Sequence, residues 1–250
     1  MKNIINTIIF PKQRNKKMSQ KFSMLQLILF FLTFIFYSYI TDSYAESIPI
    51  VKELQQSYQS IKNFSATFTQ ELTHQESGSK ETRIGKLFFK KPLLVRWETN
   101  TPHEELLLIN TNAVWDYLPD ENLVYKYSTD IVKDSTSIIQ VITGQVRLDK
   151  NFSIIENNNN NNNNELIFLK LYPKEPTTQM VEAFLWINKK SLLIHKVQSI
   201  DFYGNTNTIT FINITPNTHI DNNIFQFTPP KDVTIENLQD SSTPERPLFN

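Results

Sequence analysis

From about residue 63 to the end of the chain, apolar residues recur with a period of two, in runs of five to ten residues separated by turn signals. That pattern is the strongest constraint on the fold. In Phe64-Ser-Ala66-Thr-Phe68-Thr apolar groups alternate with hydroxyls, as on a half-buried strand, and comparable runs follow at 82–90, 93–98, 104–109, 112–118 and 122–128. Lys91-Pro92, Asn100-Thr101-Pro102, Asn110-Thr111-Asn112 and Pro119-Asp-Glu-Asn122 separate them. Strands resume at 148–156, 165–172, 180–187, 192–202 and 206–214, and a last one is expected around Ile224–Thr228 before Pro229-Pro230. So many short strands joined by short loops predict an antiparallel sheet curling into a barrel or sandwich, and count against parallel βαβ folding.

Helical signals are few. Ser47 is placed to cap a helix with Pro49 in its first turn, and Val51, Leu54, Tyr58 and Ile61 then recur on one helical face. Asp134 or Ser135 is placed to cap a short helix carrying Ile138, Ile139 and Ile142, with Gly144 as its stop. The eight asparagines Asn157–Asn164 read as a polar insertion at a hairpin tip.

The N-terminus reads differently. Residues 1–45 hold six cations and one anion, and from Ser23 to Ile40 the chain is almost wholly apolar, followed by the small-residue site Ser43-Tyr44-Ala45. This order predicts a secretory signal peptide cut after Ala45, with Met18 as an alternative start and an uncleaved membrane anchor as the competing reading. The expected mature domain is 46–238, with a loose tail at 239–250. Taking the leader's charges from the totals of 25 and 25 leaves 19 cations against 24 anions, a net charge of −5, the wrong sign for a nucleic-acid binder.

Composition excludes several chemistries. Without cysteine there is no disulfide, thiolate metal site or cysteine nucleophile, and four scattered glycines cannot form a dinucleotide or phosphate loop. His74, His103, His195 and His219 lack metal-ligand spacing, no Gly-x-Ser-x-Gly elbow occurs, and Glu104-Glu105 and Asp120-Glu121 read as solvated turn charges. No catalytic residue, metal or cofactor is expected. Instead, runs such as Leu106-Leu107-Leu108-Ile109, Leu166-Ile167-Phe168-Leu169 and Ala183-Phe184-Leu185-Trp186-Ile187 put apolar groups on both strand faces. One reading is an ordinary two-layer core; the other is a cavity for an apolar ligand.

SYQSIKNFSATFTQ (57–70), GKLFFKKPLLVRWE (85–98), PHEELLLINTNAVWDYLP (102–119), DFYGNTNTITFINI (201–214) and IFQFTPPKDVTI (224–235) occur in that order. The series resembles the periplasmic outer-membrane lipoprotein carrier family, LolA. The resemblance implies a mainly β fold: an unclosed, strongly curved antiparallel barrel whose apolar concavity is covered by an N-terminal helix and short lid helices. It implies a monomeric periplasmic chaperone that takes acylated lipoproteins from an inner-membrane ABC-type release complex and passes them to an outer-membrane receptor lipoprotein. The cavity lining expected on this basis is Leu93, Val95, Trp97, Leu107, Ile109, Trp115, Phe168, Phe184 and Trp186; the lid is 131–143 with Ile138, Ile139 and Ile142; and Lys91 takes the place of a basic residue, often arginine, tied to lid closure and transfer. A binder of another amphiphile, such as a glycolipid, or an envelope-stress sensor domain is the alternative. The family's glycine after the Pro102 strand is Asn112 here, expected to keep the turn through a left-handed backbone.

Overall fold

The computed structural model describes residues 48–133, 138–156 and 165–238, all within one compact unit, Ser47–Asn250. The expected leader, Ser47, Asp134, Ser135, the asparagine run and the tail from 239 lie outside the described residues. Helix α1 (Pro49–Ser60) opens the domain, with Pro49 at its first position and Val51, Leu54 and Tyr58 buried. Strands β1 (Asn63–Thr73), β2 (Lys80–Lys90), β3 (Leu94–Thr101), β4 (Glu105–Ile109), β5 (Val114–Leu118) and β6 (Leu123–Tyr127) follow as a meander. Three short helices come next, α2 (Asp130–Lys133), α3 (Ile138–Ile142) and α4 (Leu148–Asn151). Strands β7 (Phe152–Glu156), β8 (Leu166–Pro173), β9 (Glu182–Asn188), β10 (Ile194–Ile200) and β11 (Thr206–Pro216) form a second meander, and β12 (Thr234–Leu238) ends the described chain.

All twelve strands form one curved, unclosed sheet in the order β12-β6-β5-β4-β3-β2-β1-β11-β10-β9-β8-β7. The long β1–β11 pair joins the two meanders at the centre. Three expectations are corrected. The region around Ile224–Thr228 is not a strand but a 3-10 turn (Asn222–Phe225), whose carbonyls at Ile224 and Phe225 accept from Arg96 and Asn110 side chains instead of a ladder, followed by an extended segment. The last strand is β12, and it pairs parallel to β6, because Asn122 anchors its approach, donating through side-chain Nδ2 to Asp232 O and accepting at its backbone carbonyl from Thr234 N. The first four residues of the expected 148–156 strand are helix α4.

Asn112 also differs from expectation. It does not take a left-handed backbone; the turn is held by Asn110 Oδ1, which accepts from the amides of Asn112 and Ala113. Gly144 ends α3 with φ +67°, as its place in the sequence predicts.

The sheet has an inner face, which meets the helices, and an outer face. Inner residues form one continuous core: Phe64, Ala66 and Phe68 of β1, Leu87 and Phe89 of β2, Val95 and Trp97 of β3, Leu107 and Ile109 of β4, then Leu169, Leu171, Leu185, Ile187, Val197 and Ile209 across the second meander. Gly85 lies on this face where a Cβ would fall 2.6 Å from the Phe68 ring and 1.9 Å from Glu98 O, so only glycine leaves room for Phe68 to pack, tilted by 37°, against Trp97, their ring centroids 4.3 Å apart.

Candidate functional site

The inner face is the candidate site. Its strands supply a nearly unbroken aliphatic and aromatic surface, and two helices fill the concavity above it. Alpha-1 lays Val51, Leu54 and Tyr58 onto the sheet, and α3 adds Ile138, Ile139, Val141 and Ile142, all buried in the same core. The two helices meet at Gly144, where a Cβ would stand 2.5 Å from Tyr58 Cδ1. Around that junction Leu54, Tyr58, Val141, Gly144, Val146, Leu148 and Ile194 enclose a residual void of only about 10 Å³, space for about one water at most. There the two helices close over the inner face.

Tyr58 fixes the junction chemically as well as sterically. Its hydroxyl accepts from Ile194 N at 3.1 Å, and burial pushes its phenol up to about 12. Alpha-1 has no cation in its own last turn, yet its exposed carbonyls are capped from outside: Lys91 Nζ, in the β2–β3 turn, donates to Tyr58 O at 2.8 Å and Gln59 O at 2.9 Å. Partial burial lowers the Lys91 ammonium below the ordinary lysine range. Across the helix, Arg147 and Asp149 pair beside α4, and the Arg147 guanidinium holds the Asp149 carboxyl below its usual value.

These placements separate the expected site residues into two groups. Val95, Trp97, Leu107 and Ile109 converge on the inner face, Leu93 packs against its edge from the β2–β3 turn, and Ile138, Ile139 and Ile142 cover it. Lys91 does hold two helical carbonyls, but those of α1, not of the 131–143 segment expected to be the lid. Trp115, Phe168, Phe184 and Trp186 stand on the outer face, so their expected place in the lining is corrected. Trp115 pairs with Leu108 rather than Leu107, and Phe168 pairs with Trp186, one residue out of phase with Leu169 and Leu185, which do face inward. Since strand side chains alternate, that single step sends each ring to the opposite side.

The outer rings have their own setting. Trp115 and Tyr117 meet Phe227, with centroids 5.5 and 5.6 Å away, under the segment that follows the Asn222–Phe225 turn. Phe168 and Phe184 stack, Trp186 is tilted against both, Lys196 Nζ lies 4.2 Å from the Trp186 centroid and Lys170 Nζ 5.3 Å from that of Phe184. Lysines alternating with the rings across β8, β9 and β10 are the signal that could have marked this face as outward. Leu169, Leu171, Leu185 and Ile187 were missed as site residues for the same reason, a leucine beside a tryptophan carrying no label for its face, while Tyr58 and Gly144 were read only as a helix-face residue and a helix stop.

Among the described residues no group of histidine, aspartate and glutamate side chains could hold a metal ion, and no helix is long and apolar enough to cross a membrane. His103 Nδ1 lies 2.9 Å from Asp120 Oδ2 as an exposed surface pair, and His74 sits in the β1–β2 turn against Ser77. What the site offers is an apolar concavity whose covering helices would have to move before anything could enter.

The family model described as outer membrane lipoprotein carrier protein LolA matches residues 59–228. An outer-membrane lipoprotein carrier protein of Pseudomonas paraeruginosa is 27% identical over 195 residues, covering 77% of this chain and 90% of that protein. One from Xanthomonas campestris is 25% identical over 185 residues, covering 74% and 86%. Among solved structures, a LolA superfamily protein from Nitrosomonas europaea aligns with 10% identity and a TM-score of 0.38, covering 71% of this chain and 97% of that one. The matched span runs from the last turn of α1, through the closed concavity and both meanders, to the Asn222–Phe225 turn and Phe227, and on this evidence the chain belongs to the LolA family of outer membrane lipoprotein carriers.

Proposed function

We propose that the protein carries acylated lipoproteins by sheltering their acyl chains on the inner face, in the periplasm, between an inner-membrane ABC-type release complex and an outer-membrane receptor lipoprotein. The observation that carries this reading is the broad apolar inner face covered by α1 and α3. At about 0.8 kcal/mol per buried CH₂, eight methylenes taken from water are worth roughly 6 kcal/mol, so a broad apolar surface binds chains without specific polar contacts.

The cover supplies reversibility. With Ile138, Ile139 and Ile142 occupying the concavity, the apolar inner face is covered in the empty carrier, and a ligand must displace α1, α3 or both. That displacement cost subtracts from the gross affinity, which keeps the cargo transferable. The relatives' names support the cargo, and the leader-like residues 1–45 support export.

The test is to add the purified protein to spheroplasts of a Gram-negative bacterium and assay the supernatant for lipoproteins in a soluble complex. Release equal to that of a working carrier is expected. No release beside a functional carrier control sinks the reading.

A further inference from the structure

The inner face is not apolar along its whole length. Following the strands away from the β2–β3 turn, Phe68, Trp97, Val197 and Ile209 give way to Gln70, Thr99, Ser199 and Asn207, all buried polar residues on the same face. Gln70 Nε2 donates to Asn207 Oδ1 at 3.0 Å across the centre of the sheet. Burying four polar side chains at the edge of a hydrocarbon surface is costly unless they meet polar partners, so this belt has a chemical purpose or a structural one.

Immediately beyond the belt a cleft of about 520 Å³ opens to solvent, with Ser199 and Asn207 in its lining beside Gln179, Thr73 and Thr206. The size is within the range of small-ligand sites. Its charged neighbours are already engaged: Lys80 pairs with Glu71 at 3.4 Å, and Asp201 accepts from the amides of Tyr203 and Asn205 and from Asn205 Nδ2. Glu81, also in the lining, pairs with Arg83, and apart from His74 and Leu72 the remaining lining presents amides and hydroxyls, suited to neutral hydrogen-bonding groups and not to a phosphate or a carboxylate.

We propose that this cleft seats the uncharged polar head of the amphiphile, the ester and amide groups at the acylated end, while its chains lie on the inner face beyond the Gln70–Asn207 pair. The proposal rests on reading the inner face as an acyl-chain surface. It gives the site a polarity: hydrocarbon toward the β2–β3 turn, head and attached peptide at the β1–β2 and β10–β11 hairpins. The same ester chemistry occurs in a diacylated peptide and in a diacylglycerol, and the two are distinguished by experiment.

Binding of three fluorescent probes, a neutral dipalmitoylated lipopeptide, dipalmitoylglycerol and palmitic acid, is measured with the wild-type protein, with Ser199→Ala/Gln179→Ala, and with the outer-face control Thr208→Ala. Loss of one or two net hydrogen bonds weakens lipopeptide binding about five- to twentyfold in the double variant, with palmitic acid and the control variant unchanged within twofold. A matching loss for dipalmitoylglycerol supports recognition through the esters, and a loss confined to the lipopeptide supports recognition through the amide. Equal loss for all three probes, or none, overturns the proposal and leaves the acyl-chain reading intact, whereas a wild-type protein that binds none of the probes overturns that reading itself. Because the chain has no cysteine, Gln179→Cys gives an independent readout with a bromoacetyl-bearing lipopeptide. It is expected to crosslink at least tenfold faster than Ser191→Cys in the β9–β10 turn; equal rates overturn the assigned polarity.

Discussion

Replacing Lys91 by methionine isolates the α1 clamp. The side chain keeps its length and apolar stem, while the donors to Tyr58 O and Gln59 O, at 2.8 and 2.9 Å, are lost. A charged donor to a carbonyl is worth about 1.5–3 kcal/mol, and a cation at a helix C-terminus about 0.3–1 kcal/mol. Against this stand the rotamer entropy of an ordered lysine, up to about 2 kcal/mol, and solvent screening at a half-buried site. The net is roughly 1.5 kcal/mol, or about 3–6 °C in Tm for a domain of this size. Since the clamp holds α1 rather than the sheet, the effect is local: amides of Leu54–Ser60 are expected to exchange about tenfold faster in Lys91→Met, while the central β1–β11 amides change less. Weakening the closed state also raises the apparent affinity for an acyl probe by up to about tenfold, and Lys91→Arg restores wild-type behaviour. Unchanged exchange across α1 in Lys91→Met would refute the clamp. So would a fall in acyl affinity with no change in stability, because it would make Lys91 a ligand contact.

Other perturbations test the rest of the site. Gly144→Ala combines a left-handed backbone with a Cβ driven into Tyr58, and is expected to cost about 2–4 kcal/mol in urea unfolding. Tyr58→Phe tests the buried phenol. With its pKa at about 12 against 10 when unfolded, the contribution is complete below pH 10 and lost as pH rises to 12, so the wild-type advantage over the variant, measured by urea midpoints, declines by about 3 kcal/mol across that window. Leu185→Ala and Trp186→Ala separate the faces: the first should cost 2–5 kcal/mol and reduce acyl-probe binding, the second should leave probe binding unchanged. Gly85→Ala should be among the most disruptive single changes in the sheet, seen as loss of the near-ultraviolet signal of Trp97.

The first eleven strands and the single long helix were legible in the sequence, because alternation and turn residues are local signals. Face assignment was not. In β9 the run Ala183–Ile187 offers large apolar groups at every step, so alternation cannot say which set is buried, and only the partners across the ladder, Lys170 and Lys196 against the rings, decide it. β12 was invisible for a different reason: Thr234–Leu238 is short, polar and largely exposed, and its strand character comes from pairing with β6 after the Asn122 contacts have placed it. Lys91 was found as a functional position, but its partner helix was not. The contact joins residues more than thirty apart, and nothing in either segment announces the other.

The order of strands gives the segment between β6 and β7 an unusual mechanical position. It leaves the sheet near one free edge, next to β12, and returns at the other, so about two dozen residues bridge the gap that keeps the barrel unclosed. Such a bridge is a tether as well as a cover. If cargo spreads the two edges apart, the tether must lengthen, and among the described residues its reserve is the thirteen wound into α2, α3 and α4. Unwinding them releases roughly 20 Å, since a helix advances 1.5 Å per residue and an extended chain about 3.3 Å. Girth and uncovering are thereby linked: a wider cargo draws in slack from the very helices that cover the concavity, and emptying the carrier returns that length to them.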